Sequence, residues 1–147
     1  MGQELKTAVA RQRVLLGGIL NVPMERLARH CAELWPDRDA LENLLTQQMQ
    51  TLPSCKYLYV LDAQAHQITA NVTTRGLLPD QFGRDRSQRP YLAGALTGKR
   101  FTMSDAYLSR NARRPSLTAV QRIENQDGSL MGYLGADFDL RELPLTR

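Results

Sequence analysis

Apolar residues recur at helical spacing through the first third of the chain and then switch to a two-residue period. Leu5, Ala8, Val9, Leu16, Ile19 and Leu20 fall on roughly one helical face, the mark of an amphipathic helix. Gly17-Gly18 is expected to end or bend that segment. Asn21, with Pro23 in the first turn, starts a second helix whose stripe is Met24, Leu27, Cys31 and Leu34 and which Pro36 closes. Asp39 with Glu42 three residues later has the form of a capping box. Leu41, Leu44, Leu45, Met49 and Leu52 then continue at helical spacing up to Pro53. These stripes read first as core packing. The first helix either folds back onto the rest of the domain or packs against its twin in a homodimer.

After Pro53 the pattern becomes strand-like. Residues 57–61, Tyr-Leu-Tyr-Val-Leu, are aromatic and branched. Residues 67–73 form a second strand candidate after a turn over 62–66. Residues 76–89 are polar, with Gly, Pro and Asp, and read as a long loop, a feature that tends to be functional inside a compact domain. A short helix over 90–96 and a strand over 101–109 follow. The clearest local signal is last: alternation over 117–124, a turn at Gln126-Asp127-Gly128, and alternation again over 130–140, which predicts a hairpin. The expected class is α+β, a central antiparallel sheet of about five strands preceded by N-terminal helices. At 147 residues it is one domain, with a helical part over 1–53 and a sheet with its loop over 54–141.

Composition narrows the function more than the fold. The net charge is +4, but Lys and Arg are spread, with local density at Arg84/Arg86/Arg89 and Arg110/Arg113/Arg114; a nucleic-acid binder concentrates such charge on one stripe, so no nucleic-acid partner is expected. No run approaches the roughly 20 apolar residues of a membrane span, and the start lacks the pattern of a signal peptide. The chain therefore reads as cytoplasmic, the alternative being a periplasmic sensor domain excised from a membrane receptor. Cys31 and Cys55 lack metal or redox spacing, and His30 and His66 have no ligand-spaced partners. No metal and no cofactor are expected. A Gly-x-Ser-x-Gly elbow, a phosphate loop and a Cys/His pair at a recognised spacing are all missing, so the chain reads as non-catalytic.

Candidate chemistry lies in the sheet half. On the last strand Leu130, Leu134, Ala136 and Phe138 share one face, and Met131, Tyr133 and Asp137 the other. If both faces are covered, Asp137 is a buried acid that needs a partner: an arginine of the protein, or the amine or hydroxyl of a ligand. Phe101, Met103, Asp105 and Tyr107 share a strand face, and Tyr107 is either a pocket hydroxyl or a core tyrosine. Arg89, where the loop enters the short helix, suits a carboxylate through a two-pronged contact.

These residues also carry a resemblance. Asp85-Arg86-Ser87-Gln88-Arg89-Pro90-Tyr91, Ser104-Asp105-Ala106-Tyr107 and Gly132-Tyr133-Leu134-Gly135-Ala136-Asp137 resemble, in order and spacing, three segments of the Cache superfamily, also called PDC sensor domains. The resemblance runs from about Tyr57 to Leu140. It implies a PAS-like fold and a small-molecule site between the sheet and the long loop. It also implies ligand roles for Arg89 (carboxylate), Tyr91, Tyr107 and Asp137 (amine); Arg86 and Tyr133, in the same segments, are further ligand-binding candidates. Two positions depart from the amino-acid-binding pattern: Leu92 stands for a second aromatic and Arg84 for a tyrosine. The implied ligand is thus a small carboxylate, an amino acid, or another amine or anion. A dimerisation module with a collapsed pocket, its Arg89 bonded to Asp137, is the alternative.

Overall fold

The computed structural model describes residues 2–108 and 115–143. The Leu5 side chain, Arg110, Arg113, Arg114 and the residues from 144 onward lie outside the described residues. Helix α1 (Gly2–Leu34) and helix α2 (Arg38–Gln48) precede all the strands, and no described helix is long and apolar enough to cross a membrane.

The first two expected helices are one. α1 runs unbroken through Gly17-Gly18 and contains Pro23, so the break at the glycines and the cap at Asn21 are corrected. The reason is tertiary. Leu16, Leu20, Met24, Leu27 and Cys31 form a continuous stripe across both breaker sites, and all are buried; that burial outweighs the local cost of glycine and proline. Ile19, expected on the same stripe, is exposed. The cap of α2 also moves, because Asp37 accepts a hydrogen bond from Ala40 N at 3.1 Å. Glu42 does not reach back to a cap. Its carboxylate takes Arg38 Nε at 3.0 Å and, from the sheet, Ala70 N at 2.7 Å.

The antiparallel sheet consists of β1 (Tyr57–Asp62), β2 (Asn71–Thr73), β3 (Gly76–Leu78), β4 (Phe101–Met103), β5 (Tyr107–Leu108), β6 (Pro115–Glu124) and β7 (Leu130–Asp139). Its order is β3-β2-β1-β7-β6-β4, with β5 also pairing with β6. Seven strands replace about five for two reasons. Gly76–Leu78, expected as loop, adds an edge strand. The strand expected over 101–109 divides into β4 and β5, both paired with β6. That division separates faces: Phe101 and Met103 pack against the helices, Tyr107 packs on the other side, and Asp105 is exposed. The short helix expected over 90–96 is two 3-10 turns, Pro90–Leu92 and Ala95–Thr97.

The hairpin forms as its alternation and Asp-Gly turn predict, with Gly128 at φ 86°. Its parity holds from Gly132 onward. Leu134, Ala136 and Phe138 face the helices, and Tyr133 faces away. Leu130 and Met131 are exchanged relative to expectation, Met131 toward the helices and Leu130 toward the loop. The register shifts there, Ile123 facing Gly132 and Glu124 facing Leu130; the extra residue is a bulge, which turns every side chain before it to the opposite face. Both faces of the sheet are therefore covered. α1 and α2 cover one, and the segment between β3 and β4 covers the other with Tyr91, Leu92 and Ala95 against Tyr59, Leu61, Val120 and Tyr133.

Candidate functional site

The loop-covered face is built from alternate residues of β1, β6 and β7. Tyr59 on β1 stands directly opposite Gly135 on β7. A Cβ on Gly135 would lie 2.2 Å from the Tyr59 ring, so glycine is what lets the ring lie across the strand. From there the Tyr59 hydroxyl donates to Asp137 Oδ1 at 2.7 Å. Thr118, the cross-strand partner of Asp137 on β6, donates to the same oxygen at 2.8 Å. The Tyr107 hydroxyl is hydrogen-bonded to Thr118 Oγ1. Because the threonine proton is committed to Asp137, Tyr107 is the donor of that bond. Tyr107 and Thr118 thus form a two-hydroxyl relay, which converges with the Tyr59 hydroxyl on one carboxylate oxygen.

Asp137 is 9 % exposed. It has no cation within ion-pair range among the described residues, and its Oδ2 accepts no hydrogen bond from them. Burial raises its pKa, opposed by the charge of Arg86 and by the hydrogen bonds from Tyr59 and Thr118. Of the two partners left open by the sequence, no arginine among the described residues is bonded to Asp137.

The loop brings the positive charge. Its 83–86 stretch docks along 65–67 through Gly83 N to Gln67 O and Gln67 N to Arg84 O, both 2.8 Å, and Arg86 N to Ala65 O at 2.9 Å. Arg86 is thereby driven inward, to 1 % exposure. Its Nη1 donates to Tyr91 Oη at 2.8 Å, its Nη2 donates to Asn71 Oδ1 at 3.1 Å, and its guanidinium lies 4.0 Å from the centre of the Tyr59 ring. Burial disfavours its charge, but Tyr59, Tyr91 and Asp137 outweigh that and raise its pKa. Among the described residues its Nε has no partner, nor has the buried Gln67 Oε1 in the same network. Tyr91 and Tyr107 approach with ring centroids 5.3 Å apart, and burial raises both their pKa values.

Five of the six candidates, Arg86, Tyr91, Tyr107, Tyr133 and Asp137, therefore share one buried compartment on this face. Arg89 stands before the turn Pro90–Leu92, half-buried, with no ion pair among the described residues. Its charge acts on both Tyr91 and Asp137. It is not bonded to Asp137, contrary to what the collapsed-pocket alternative requires. Residue-level reading missed Tyr59, Thr118 and Asn71. Tyr59 carried a usable signal, since its two-residue parity with Tyr57 and Leu61 sets it opposite Leu58 and Val60. Thr118 and Asn71 carried none, because their roles come from cross-strand register. An open cleft of about 430 Å³ lies elsewhere, on the helix-covered side between α1 and the β6–β7 hairpin. Of its charges, Glu25 pairs with Arg29, and Glu124 with Arg122 and Arg100.

Several solved structures are similar in fold. The ligand-binding domain of the Pseudomonas fluorescens chemoreceptor CtaA in complex with L-valine matches with a TM-score of 0.65 and 26% identity, over 92% of this chain and 57% of that one. The ligand-binding domain of the Pseudomonas aeruginosa amino acid chemoreceptor PctC in complex with GABA matches with a TM-score of 0.65 and 18% identity, over 95% and 64%. An extracellular ligand binding receptor from Desulfohalobium retbaense matches with a TM-score of 0.69 and 13% identity, over 90% and 24%. The chain spans less than two thirds of each. No family model and no curated protein sequence matches it.

Proposed function

We infer that this chain, a sensor domain of the Cache type, is a non-catalytic module of signal transduction that binds a small amino-acid-like metabolite between its sheet and its loop. The observation that carries the reading is the buried Asp137, whose Oδ2 accepts no hydrogen bond among the described residues, together with Arg89, which makes no ion pair among them and whose charge acts on Asp137. One pole takes an ammonium group and the other a carboxylate, and the tyrosines between them wall the ligand from water. Arg86 acts behind this site. It is spent on Tyr91 and Asn71, so it positions the Tyr91 ring and supplies field. The likeness to the CtaA domain, solved with L-valine, supports an amino acid as the first ligand class to test.

A panel of L-amino acids in a thermal-shift assay is the test, with L-valine included. Stabilisation is expected for at least one member, by linkage of binding to folding. Arg89→Ala is expected to weaken that ligand by about tenfold, the lower end of a hydrogen bond to a charged group, since Arg89 is half exposed. No shift with any member would instead favour a pocket closed by its own side chains, since Tyr59, Tyr91 and Arg86 are all buried there, although without the Arg89–Asp137 bond.

The single domain over 1–147 works as a homodimer through α1. Val14, Leu15, Ile19 and Val22 are large, exposed and at helical spacing, on the side of α1 away from the buried stripe. Light scattering is expected to find a dimer for the native chain and a monomer for Ile19→Glu. As a receptor module of this kind the domain sits on the extracytoplasmic side, the alternative to the cytoplasmic placement expected from the sequence; likeness to a chemoreceptor ligand-binding domain supports it.

A further inference from the structure

We propose that Arg13 is a positioning residue that clips helix α1 to the ligand site and makes occupancy of the site felt by the helix. The proposal rests on the ligand-site reading above. Arg13 projects from α1 to the end of β4, where the chain leaves the strand before it rejoins the sheet as β5. There its Nη2 donates to Met103 O at 2.8 Å and its Nε to Ser104 O at 3.0 Å. One planar guanidinium thus holds two consecutive carbonyls, a geometry that lysine cannot reproduce. One turn along the helix, a Cβ on Gly17 would come within 3.2 Å of Met103 Cγ. Glycine at this position lets the helix backbone approach the same corner closely. That accounts for a glycine in the middle of a long helix, where it otherwise weakens the structure.

The corner leads directly into the site. Ser104 N donates to Thr118 O at 2.9 Å, and Thr118 N donates to Ser104 Oγ at 2.9 Å. Ser104 therefore grips both backbone groups of the residue whose side chain binds Asp137 Oδ1 and receives the Tyr107 hydroxyl. Three residues further on, the same connection delivers Tyr107 itself. A ligand on Asp137 competes for, or re-aims, the Thr118 and Tyr107 hydroxyls. Any shift of Thr118 moves Ser104, and Ser104 is tied to α1 by Arg13. Such a link transmits only if the ligand prefers one arrangement of the corner over another. Arg13 is half exposed, with 42 % of its side-chain surface accessible, so the clip can open without leaving a buried charge behind.

The test has one arm without ligand and one with it, both on the full chain. In hydrogen exchange without ligand, Arg13→Ala is expected to speed exchange of the Ser104 and Thr118 amides by about tenfold. Arg13→Lys should fall between, and Arg11→Ala, at an exposed position on the same helix, should leave both amides as they were. With L-valine as probe, the native chain is expected to change exchange along α1 around residues 9–17. Arg13→Ala should still bind L-valine but lose that change. Unaltered Ser104 and Thr118 exchange in Arg13→Ala overturns the clip. A ligand-induced change in α1 that persists in Arg13→Ala overturns the coupling. Failure of L-valine and the rest of the amino-acid panel to bind the native chain overturns the ligand-site reading and the coupling with it, while the ligand-free arm still decides the clip.

Discussion

Asp137→Asn is expected to abolish detectable binding of the amine-bearing ligand while leaving the domain folded. Asparagine keeps the shape, and its carbonyl oxygen accepts the same two hydrogen bonds, from Tyr59 and Thr118, that Asp137 Oδ1 accepts now. What it removes is the negative charge, and what it places at Oδ2 is a second donor facing an ammonium group. Removing one partner of a buried charge pair costs about 2–5 kcal/mol, roughly thirty- to several-thousand-fold in affinity. Calorimetric titration with the best ligand of the amino-acid panel measures it, and retained affinity within threefold would place the amine elsewhere. The same variant has a stability signature that needs no ligand. Burial raises the Asp137 pKa in the folded state, so the folded chain holds this proton to higher pH than the unfolded chain does. Stability from this group is then greatest below the ordinary carboxylate range and is lost as pH rises through the raised folded value. The native chain should lose stability relative to Asp137→Asn over that window, and denaturant melts on either side of it measure the difference. An unchanged difference would mean that Asp137 is not held in a desolvated site.

Gly135→Ala is expected to damage both fold and site. Its new methyl would fall 2.2 Å from Tyr59 Cε2 and 2.8 Å from its hydroxyl, inside a compartment closed by Tyr91 and Arg86. The ring cannot swing away freely, because the Arg86 guanidinium stacks on it and Asp137 holds its hydroxyl. Overpacking of this kind costs about 1–3 kcal/mol, or a drop of roughly 3–10 °C in melting temperature for a domain of this size. Ligand binding should fall with it, since Tyr59 is one of the two donors that orient Asp137. Gly18→Ala serves as the control, because a Cβ there meets nothing within 4 Å. A melting temperature for Gly135→Ala equal to that of Gly18→Ala would show that the ring has room the geometry denies.

Much of the site was legible from parity. Setting Tyr133 and Asp137 on one face of the last strand required only the two-residue period of an extended chain, and the structure keeps them there. The same reasoning failed at Met131 and at Asp105, for related reasons. A bulge or a strand break resets the count, and neither leaves a dependable trace in the residue types. Arg86 and Arg89 illustrate a different limit. Both are arginines in one polar loop, yet one is buried against Tyr59 and the other half-exposed. The loop's docking along 65–67 decides between them, through backbone bonds that any side chain could make.

The order of elements, the change from helical to strand-like period, the hairpin at Asp127-Gly128 and the motif residues that resemble the sensor family were all properties of the sequence by itself. They rest on spacing and turn chemistry within a few residues, and nothing distant needed to be known. The tertiary structure alone decided three things. α1 continues through Gly17, Gly18 and Pro23 because its buried stripe gains more than those residues cost. Tyr59 and Thr118 join the candidate site because the β1–β7–β6 register sets them beside Asp137. Arg13 meets Ser104 because helix and sheet pack face to face. Each of these depends on which surfaces come together, and local propensity contains no record of that.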